Sequence, residues 1–305
     1  MTDTPALESE PMTQTYDRPG IYDGVSFETY CKIDAVNSSR LKRMSISPAH
    51  YKAGWTGETK ALQFGRLAHC GKLEAASVPL RYAVMPPFEL DDNNQTDAGK
   101  TSTSKATKYY KDKAAAFADT NKGREIVSQQ IYTDMLDLLS ALENHDRARE
   151  YLNEPGRVEL TIIWIDPDTG LLCKARLDKA TATGLSDLKT TEDAGDFQKS
   201  IQKFEYHRQG AHYVDGWKVA TGEEMPFRLI AVSKTKPISV RAAPLHPDAI
   251  RTGRSQNKID MERVAECMQS GEWPNHCDPD AWELPEWYVN RVMDDQLDME
   301  GIDDA

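Results

Sequence analysis

Residues 158–189 read VELTIIWIDPDTGLLCKARLDKATATGLSDLK, and this stretch decides the fold. The runs VELTIIWID (158–166) and LLCKARLDKA (171–180) flank Pro167-Asp168-Thr169-Gly170, whose turn chemistry predicts a β-hairpin. A third short strand is predicted over 184–189. Because side chains alternate along a strand, Arg176 and Asp178 share one face of theirs, and Asp187 and Lys189 share one face of the next. Glu159, on the first strand, lies close to the same edge. Carboxylates and an amine therefore converge. Hard oxygen donors of this kind suit Mg²⁺ or Mn²⁺, and a lysine beside them can orient a water or help to deprotonate it.

Working outward, Asn37-Ser38-Ser39 supplies capping residues before Arg40-Leu41-Lys42-Arg43-Met44, and Ser47-Pro48 starts a second helix through Tyr51. Residues 61–75 (ALQFGRLAHCGKLEA) predict a third helix, and the polar, Gly/Pro-punctuated stretch 86–108 a long loop. Two helices are predicted over 109–120 and 125–152, the second with Ile131, Met135, Leu138, Leu139 and Leu142 on one stripe. Beyond the strand block come helices at 194–203 and 205–221, strands at 226–233 and 237–243, and a helix over 247–270. The order predicts a mixed α/β (α+β) fold with a small central mixed sheet flanked by helices. No internal repeat interrupts it. The expected organisation is an acidic leader (1–20), one domain (21–290) and an acidic tail (291–305).

The 305 residues are 28% charged and 39% hydrophobic, as in globular chains. No run of about 18 apolar residues exists, and the first residues lack the basic-then-apolar order of a secretory signal, so neither a membrane span nor export is expected and the cytosol is the expected compartment. Residues 1–20 carry four acids and one arginine, and 278–305 carry ten acids and Arg291, so the formal charge of −12 sits at the two ends. The body, 21–277, is neutral and free to carry a local basic channel for a polyanion. Cys31, Cys70, Cys173, Cys267 and Cys277 are scattered without a C-x-x-C pair, and reduced thiols are expected.

An Asp-x-Lys pair alone is common on surface strands. Here Arg-x-Asp ends nine residues before Asp187, Gly65 and His69 stand one helical turn apart on an earlier helix, and Gln209 and Tyr213 one turn apart on a later one. Further short segments fall into the same order: Asn37-Ser-Ser-Arg-Leu-Lys-Arg-Met, Ser47-Pro-Ala-His-Tyr-Lys, Phe64-Gly-Arg-Leu-Ala-His69, Glu159, Trp164, Thr169-Gly-Leu-Leu-Cys-Lys-Ala-Arg-Leu-Asp178, Asp187-Leu-Lys-Thr-Thr-Glu-Asp-Ala194, Tyr206-His-Arg-Gln-Gly-Ala-His-Tyr213 and Leu284-Pro-Glu-Trp287. In this combination, over most of residues 20–290, the chain resembles the RecB-like branch of the PD-(D/E)xK nucleases, and within it the RecE-type (exonuclease VIII) phage and prophage exonucleases.

The resemblance implies a PD-(D/E)xK core and a metal-dependent 5′ to 3′ exonuclease that resects double-stranded DNA, leaving 3′ single-stranded tails for a RecT-like annealing protein in phage recombination. By motif, Asp178 and Asp187 are similar to the metal-bridging carboxylates of two Mg²⁺ (or Mn²⁺) ions, with the Leu188 carbonyl as an extra ligand and His69 completing one shell. Glu159 is similar to the acid that holds water at the metal, and Lys189 to the residue that positions and activates the nucleophilic water. Gln209 and Tyr213 match a Gln-x-x-x-Tyr motif that orients Lys189 or touches the scissile-strand backbone. Family members close into rings around DNA, so a trimeric or tetrameric homo-oligomer is expected.

A 5′-directed enzyme needs a terminal-phosphate site, and the helix start at Ser38 and Ser39 with the basic set Arg40, Lys42 and Arg43 and with Lys32 nearby is the candidate, since helix N-termini bind phosphate. Lys100, Lys105, Lys108, Lys111 and Lys113, around Tyr109 and Tyr110, form a second basic stretch. With only Cys267 and Cys277 late in the chain, no iron–sulfur cluster is expected, and without a G-x-x-x-x-G-K-[ST] loop no ATP motor is expected. The competing readings are a structure-specific endonuclease or 3′-directed repair nuclease on the same core, and a non-catalytic DNA-end scaffold.

Overall fold

The hairpin forms as its turn residues dictate. Asp166 Oδ2 accepts from the Thr169 amide at 2.9 Å and from the Thr169 hydroxyl at 2.7 Å, and Gly170 takes the left-handed conformation (φ +71°) that ends the turn. The computed structural model describes residues 15–54, 60–88, 108–276 and 283–292. The expected leader up to residue 14, most of the 86–108 loop with Lys100 and Lys105, Cys277 and the tail from 293 lie outside the described residues.

In chain order the elements are β1 (Gly20–Tyr22), α1 (Phe27–Lys32), α2 (Ser38–Met44), α3 (Pro48–Ala53), α4 (Lys60–Leu73), α5 (Val78–Arg81), β2 (Tyr82–Met85), α6 (Lys108–Thr120), β3 (Glu125–Ser128), α7 (Gln129–Glu143), α8 (Asp146–Asn153), β4 (Gly156–Ile165), β5 (Leu172–Thr181), β6 (Leu185–Thr191), α9 (Phe197–Lys203), α10 (Tyr206–Thr221), β7 (Phe227–Ser233), β8 (Val240–Pro244) and α11 (Pro247–Ser270). A further short helix covers 286–292. No helix among the described residues is long and apolar enough to cross a membrane.

The main sheet has six strands in the order β1-β4-β5-β6-β7-β8. All its neighbours run antiparallel except β6 and β7, whose parallel register runs from Leu185↔Phe227 to Thr191↔Ser233. One face packs Leu160, Ile162, Trp164 and Leu177 against Tyr213, Val214 and Trp217 of α10 and Val264 of α11. The other packs Leu188, Ile230 and Val232 against Ala68 of α4, Leu138 and Leu142 of α7, and Ala148 and Leu152 of α8. Each fully buried aliphatic chain contributes on the order of 1.5–3 kcal/mol. The predicted mixed α/β architecture is the one observed.

Close packing depends on glycine in two places, one between helix and sheet and one between two helices. A Cβ on Gly216 would stand 2.6 Å from the Trp164 ring, so α10 lies directly on β4. A Cβ on Gly253 would stand 2.4 Å from the His207 carbonyl, so α11 crosses α10 backbone to backbone. Arg208, buried at that crossing, pairs with Asp260 at 2.6 Å and Asn257 at 2.9 Å, which fixes the start of α10.

The helix expected over 125–152 is three elements. Glu125-Ile-Val-Ser128 is a strand paired in parallel with Tyr82–Met85, a second sheet that hydrophobic periodicity did not reveal. The Ser128 hydroxyl then caps α7 by accepting from the Ile131 amide, and His145 Nδ1 caps α8 by accepting from the Ala148 amide.

Candidate metal and nuclease site

β5 and β6 pair over only two residues, Lys179↔Ser186 and Ala180↔Leu185, and then part. The Leu188 amide next along β6 finds its acceptor not in a strand carbonyl but in Asp178 Oδ2, at 2.8 Å. In the core, Leu177 belongs to the α10 side of the sheet and Leu188 to the α4 side, so alternation sends Asp178 toward α4 and Asp187 toward α10. The parting of the strands lets both carboxylates reach one cleft. Sequence reasoning placed them together but had no means of seeing that they come from opposite faces.

On the α4 side, Gly65 brings the helix against β6: a Cβ there would stand 3.4 Å from the Thr190 hydroxyl. One turn later His69 Nδ1 lies 3.4 Å from Asp178 Oδ2. Glu159, directly across the hairpin from Asp178, completes a trio whose ligand atoms lie within 4.8 Å of one another. Glu159 adopts a left-handed backbone (φ +50°), strained for a residue with a Cβ and found where function over-determines geometry. Arg176 holds its carboxylate, Nε to Oε2 at 2.6 Å, and is itself tied to the Val25 carbonyl.

On the α10 side, Asp187 Oδ1 accepts from Gln209 Nε2 at 2.8 Å. Asp187 Oδ2 is buried and accepts a charge-assisted hydrogen bond from the Lys189 ammonium, 2.5 Å away. Gln209 thus orients Asp187, where the resemblance had implied Lys189 or the DNA backbone. Tyr213, one turn on, is buried against Phe227 with its ring centroid 5.7 Å away, and burial pushes its hydroxyl up in pKa. Leu188 is fully buried on the α4 face of the sheet with Ala68, Ile230 and Val232.

The electrostatics are those of crowded acids. Burial first, and the neighbouring Asp187 second, push the Asp178 carboxyl up to about 7. Burial works against the Lys189 charge, but Asp187 and Asp178 outweigh it and hold the amine above its ordinary range. Lys189 is therefore a cation, able to hold a phosphate oxygen or donate to a water. One imidazole and two carboxylates within reach of each other form a donor set that fits Mg²⁺ or Mn²⁺, the imidazole favouring Mn²⁺.

Among the candidate phosphate residues the cations Lys32, Arg40 and Arg43 are engaged locally. Lys32 is exposed and paired with Glu28 at 2.5 Å, Ser38 is buried, Ser39 is exposed, and Arg40 pairs with Asp34 at 3.3 Å while lying 4.5 Å over the Tyr51 ring. The N-terminus of α2 is closed by Asn37, whose side chain accepts from the Arg40 amide. The cation of this helix that reaches the cleft is Lys42. Its amine donates to the Phe204 carbonyl and lies 5.5 Å over the Tyr206 ring, whose other neighbour is Lys189 at 4.9 Å. Burial, then the Lys189 charge, bring Lys42 down to about 8. No spacing in the sequence links residues 42 and 206, which meet only through the fold.

The sequence matches the family described as a PDDEXK-like domain of unknown function (DUF3799) over residues 37–280. None of the curated proteins matches. Among solved structures, a candidate exonuclease from Eubacterium rectale is similar in fold at 14% identity and TM-score 0.54, covering 85% of this chain and 95% of its own. An alkaline exonuclease from Laribacter hongkongensis aligns at 16% identity over 54% of this chain and 86% of its own, with a TM-score of 0.25 too low to bear on the site.

Proposed function

The chain belongs to the PDDEXK-like DUF3799 family, a nuclease-type fold, and from that premise we propose that it is a metal-dependent exodeoxyribonuclease that degrades double-stranded DNA 5′ to 3′ and leaves 3′ single-stranded tails for strand annealing. The observation that carries this reading is the cleft where β5 and β6 part, with His69, Glu159 and Asp178 gathered on one side and the Asp187–Lys189 pair on the other.

His69, Glu159 and Asp178 would hold a divalent cation, and Asp187 faces the same cleft for a second. Such cations supply Lewis-acid polarisation of a phosphodiester and relief of charge on its leaving oxygen. Gln209 fixes the rotamer of Asp187, and Arg176 that of Glu159, so the carboxylates are oriented before DNA arrives. Lys189 is placed to hold the attacking water or a non-bridging phosphate oxygen by a charge-assisted hydrogen bond. Lys42 adds a second positive charge beside Tyr206, where a polyanionic strand would pass.

The test is linear duplex DNA labelled at either the 5′ or the 3′ end, against a closed circle, with Mg²⁺, Mn²⁺ or EDTA. The expected result is metal-dependent release of the 5′ label first, with the circle intact. Cleavage of the circle would make the protein an endonuclease; earlier loss of the 3′ label would reverse the polarity. DNA binding with no metal-dependent release would leave a scaffold. Comparing 5′-phosphate with 5′-hydroxyl ends reads the terminal-phosphate requirement, and sizing the protein in solution reads the proposed ring.

A further inference from the structure

The link between α9 and α10 carries an aromatic group that the hydrolytic chemistry does not use. Phe197 near the start of α9 is buried, and its ring lies 5.8 Å from that of Tyr206 at an interplanar angle of 26°. Phe204, which is 46% exposed, lies 5.7 Å from the same ring at 32°. Glu205 between them has a left-handed backbone (φ +53°), a conformation disfavoured for a residue with a Cβ, and this sharp reversal turns the Phe204 ring outward.

Cations frame the rings. Lys189 lies 4.9 Å and Lys42 5.5 Å from the Tyr206 centroid, Lys203 lies 5.5 Å from that of Phe204, and Lys42 donates to the Phe204 carbonyl. Phe204 is thus two rings from the Lys189 amine, half exposed, with positive charge around it. Alternating aromatic faces and lysines are what a single strand of nucleic acid requires: the charge follows the phosphates and the rings take bases, whatever their sequence.

We propose that Phe204, backed by Tyr206, is a stacking position for the nucleobase of the nucleotide about to be released. This rests on the nuclease reading of the adjacent site. It assigns the base a binding role separate from the phosphate chemistry, and it explains why a large apolar side chain is left uncovered beside a highly charged cleft.

The experiment is a two-by-two comparison: duplexes whose terminal nucleotide carries a base or is abasic, cut by wild type and by Phe204→Ala, with Phe204→Trp as a third enzyme. Removing the base is expected to lower wild-type kcat/KM by roughly tenfold, and Phe204→Ala to lower it by a similar factor on the normal end. The two losses should not multiply, and Phe204→Trp should restore the normal rate. Losses that multiply fully, or a Phe204→Ala enzyme as fast as wild type, would overturn the proposal. Thermal melting of Phe204→Ala should match wild type, since the ring is exposed. If wild type releases no nucleotide from any DNA, the nuclease reading fails on its own. Fluorescence of a terminal 2-aminopurine in EDTA then decides: quenching by wild type and not by Phe204→Ala supports stacking, and equal signals overturn it.

Discussion

Asp187 illustrates how one side chain is given two jobs. Its Oδ1 is held by Gln209, which leaves Oδ2 to face Lys189 and the cleft. Asp187→Asn keeps the shape and removes the charge, so nuclease activity should fall by roughly 10²–10³-fold, the scale of losing one electrostatic group in a preorganised site. DNA retention in a gel-shift assay should be unchanged; a rate near that of wild type would sink the assignment. Gln209→Ala is expected to act differently. It takes the donor from a buried carboxylate oxygen, costing about 1–3 kcal/mol in chemical denaturation. It also frees Asp187 to turn, so kcat should drop about tenfold while KM stays constant.

At the scale of elements, the site depends on how closely α11 approaches α10. A Cβ at residue 253 would meet the His207 carbonyl at 2.4 Å, and backbone cannot swing aside as a side chain can. Gly253→Ala should therefore cost about 1–3 kcal/mol in urea unfolding, and it should also lower activity, because the displaced α10 carries Gln209. The hairpin, the Asp-x-Lys strand and the Gly-x-x-x-His helix were all legible in the sequence, since turn chemistry and period-two or helical spacing are local signals. Two features were not. Glu125-Ile-Val-Ser128 became a strand because Tyr82–Met85, about forty residues earlier, pairs with it, and no window of local sequence contains both. The approach of Asp178 and Asp187 from opposite faces depends on β5 and β6 separating after two pairs, a property of the sheet rather than of either strand. Lys42 was legible as part of the basic set on α2, but its meeting with Tyr206 was not, for the same reason.

For the whole molecule, a bound cation should stabilise the fold by mass action. Raising Mn²⁺ from zero to about a hundred times its dissociation constant should add about 2.7 kcal/mol, read as a higher melting temperature; Asp178→Asn should lose most of that gain. Acid should act through a different place. His212 is buried against Trp164, its ring 4.7 Å from the indole, with Nε2 3.1 Å from the Lys174 carbonyl. Burial holds its pKa down from 6.5 to about 4. Between these values the unfolded chain binds the extra proton, so stability is full above about 6.5 and declines as pH falls toward 4, by up to about 3 kcal/mol. The slope is read as the difference in denaturation midpoint between wild type and His212→Gln from pH 7.5 to 4.5, because the raised Asp178 carboxyl contributes with the opposite sign over the same range and is common to both.

The sheet is in mechanical terms two leaves: β1, β4 and β5 on one side, β6, β7 and β8 on the other, with seven register pairs binding β6 to β7 and two binding it to β5. The Leu188 amide bridges the divide to a carboxylate instead of a carbonyl. Breathing of the leaves therefore uncovers that amide and the Asp178 carboxylate in the same motion, and deuterium uptake at that single position reports how tightly the protein holds its two leaves together.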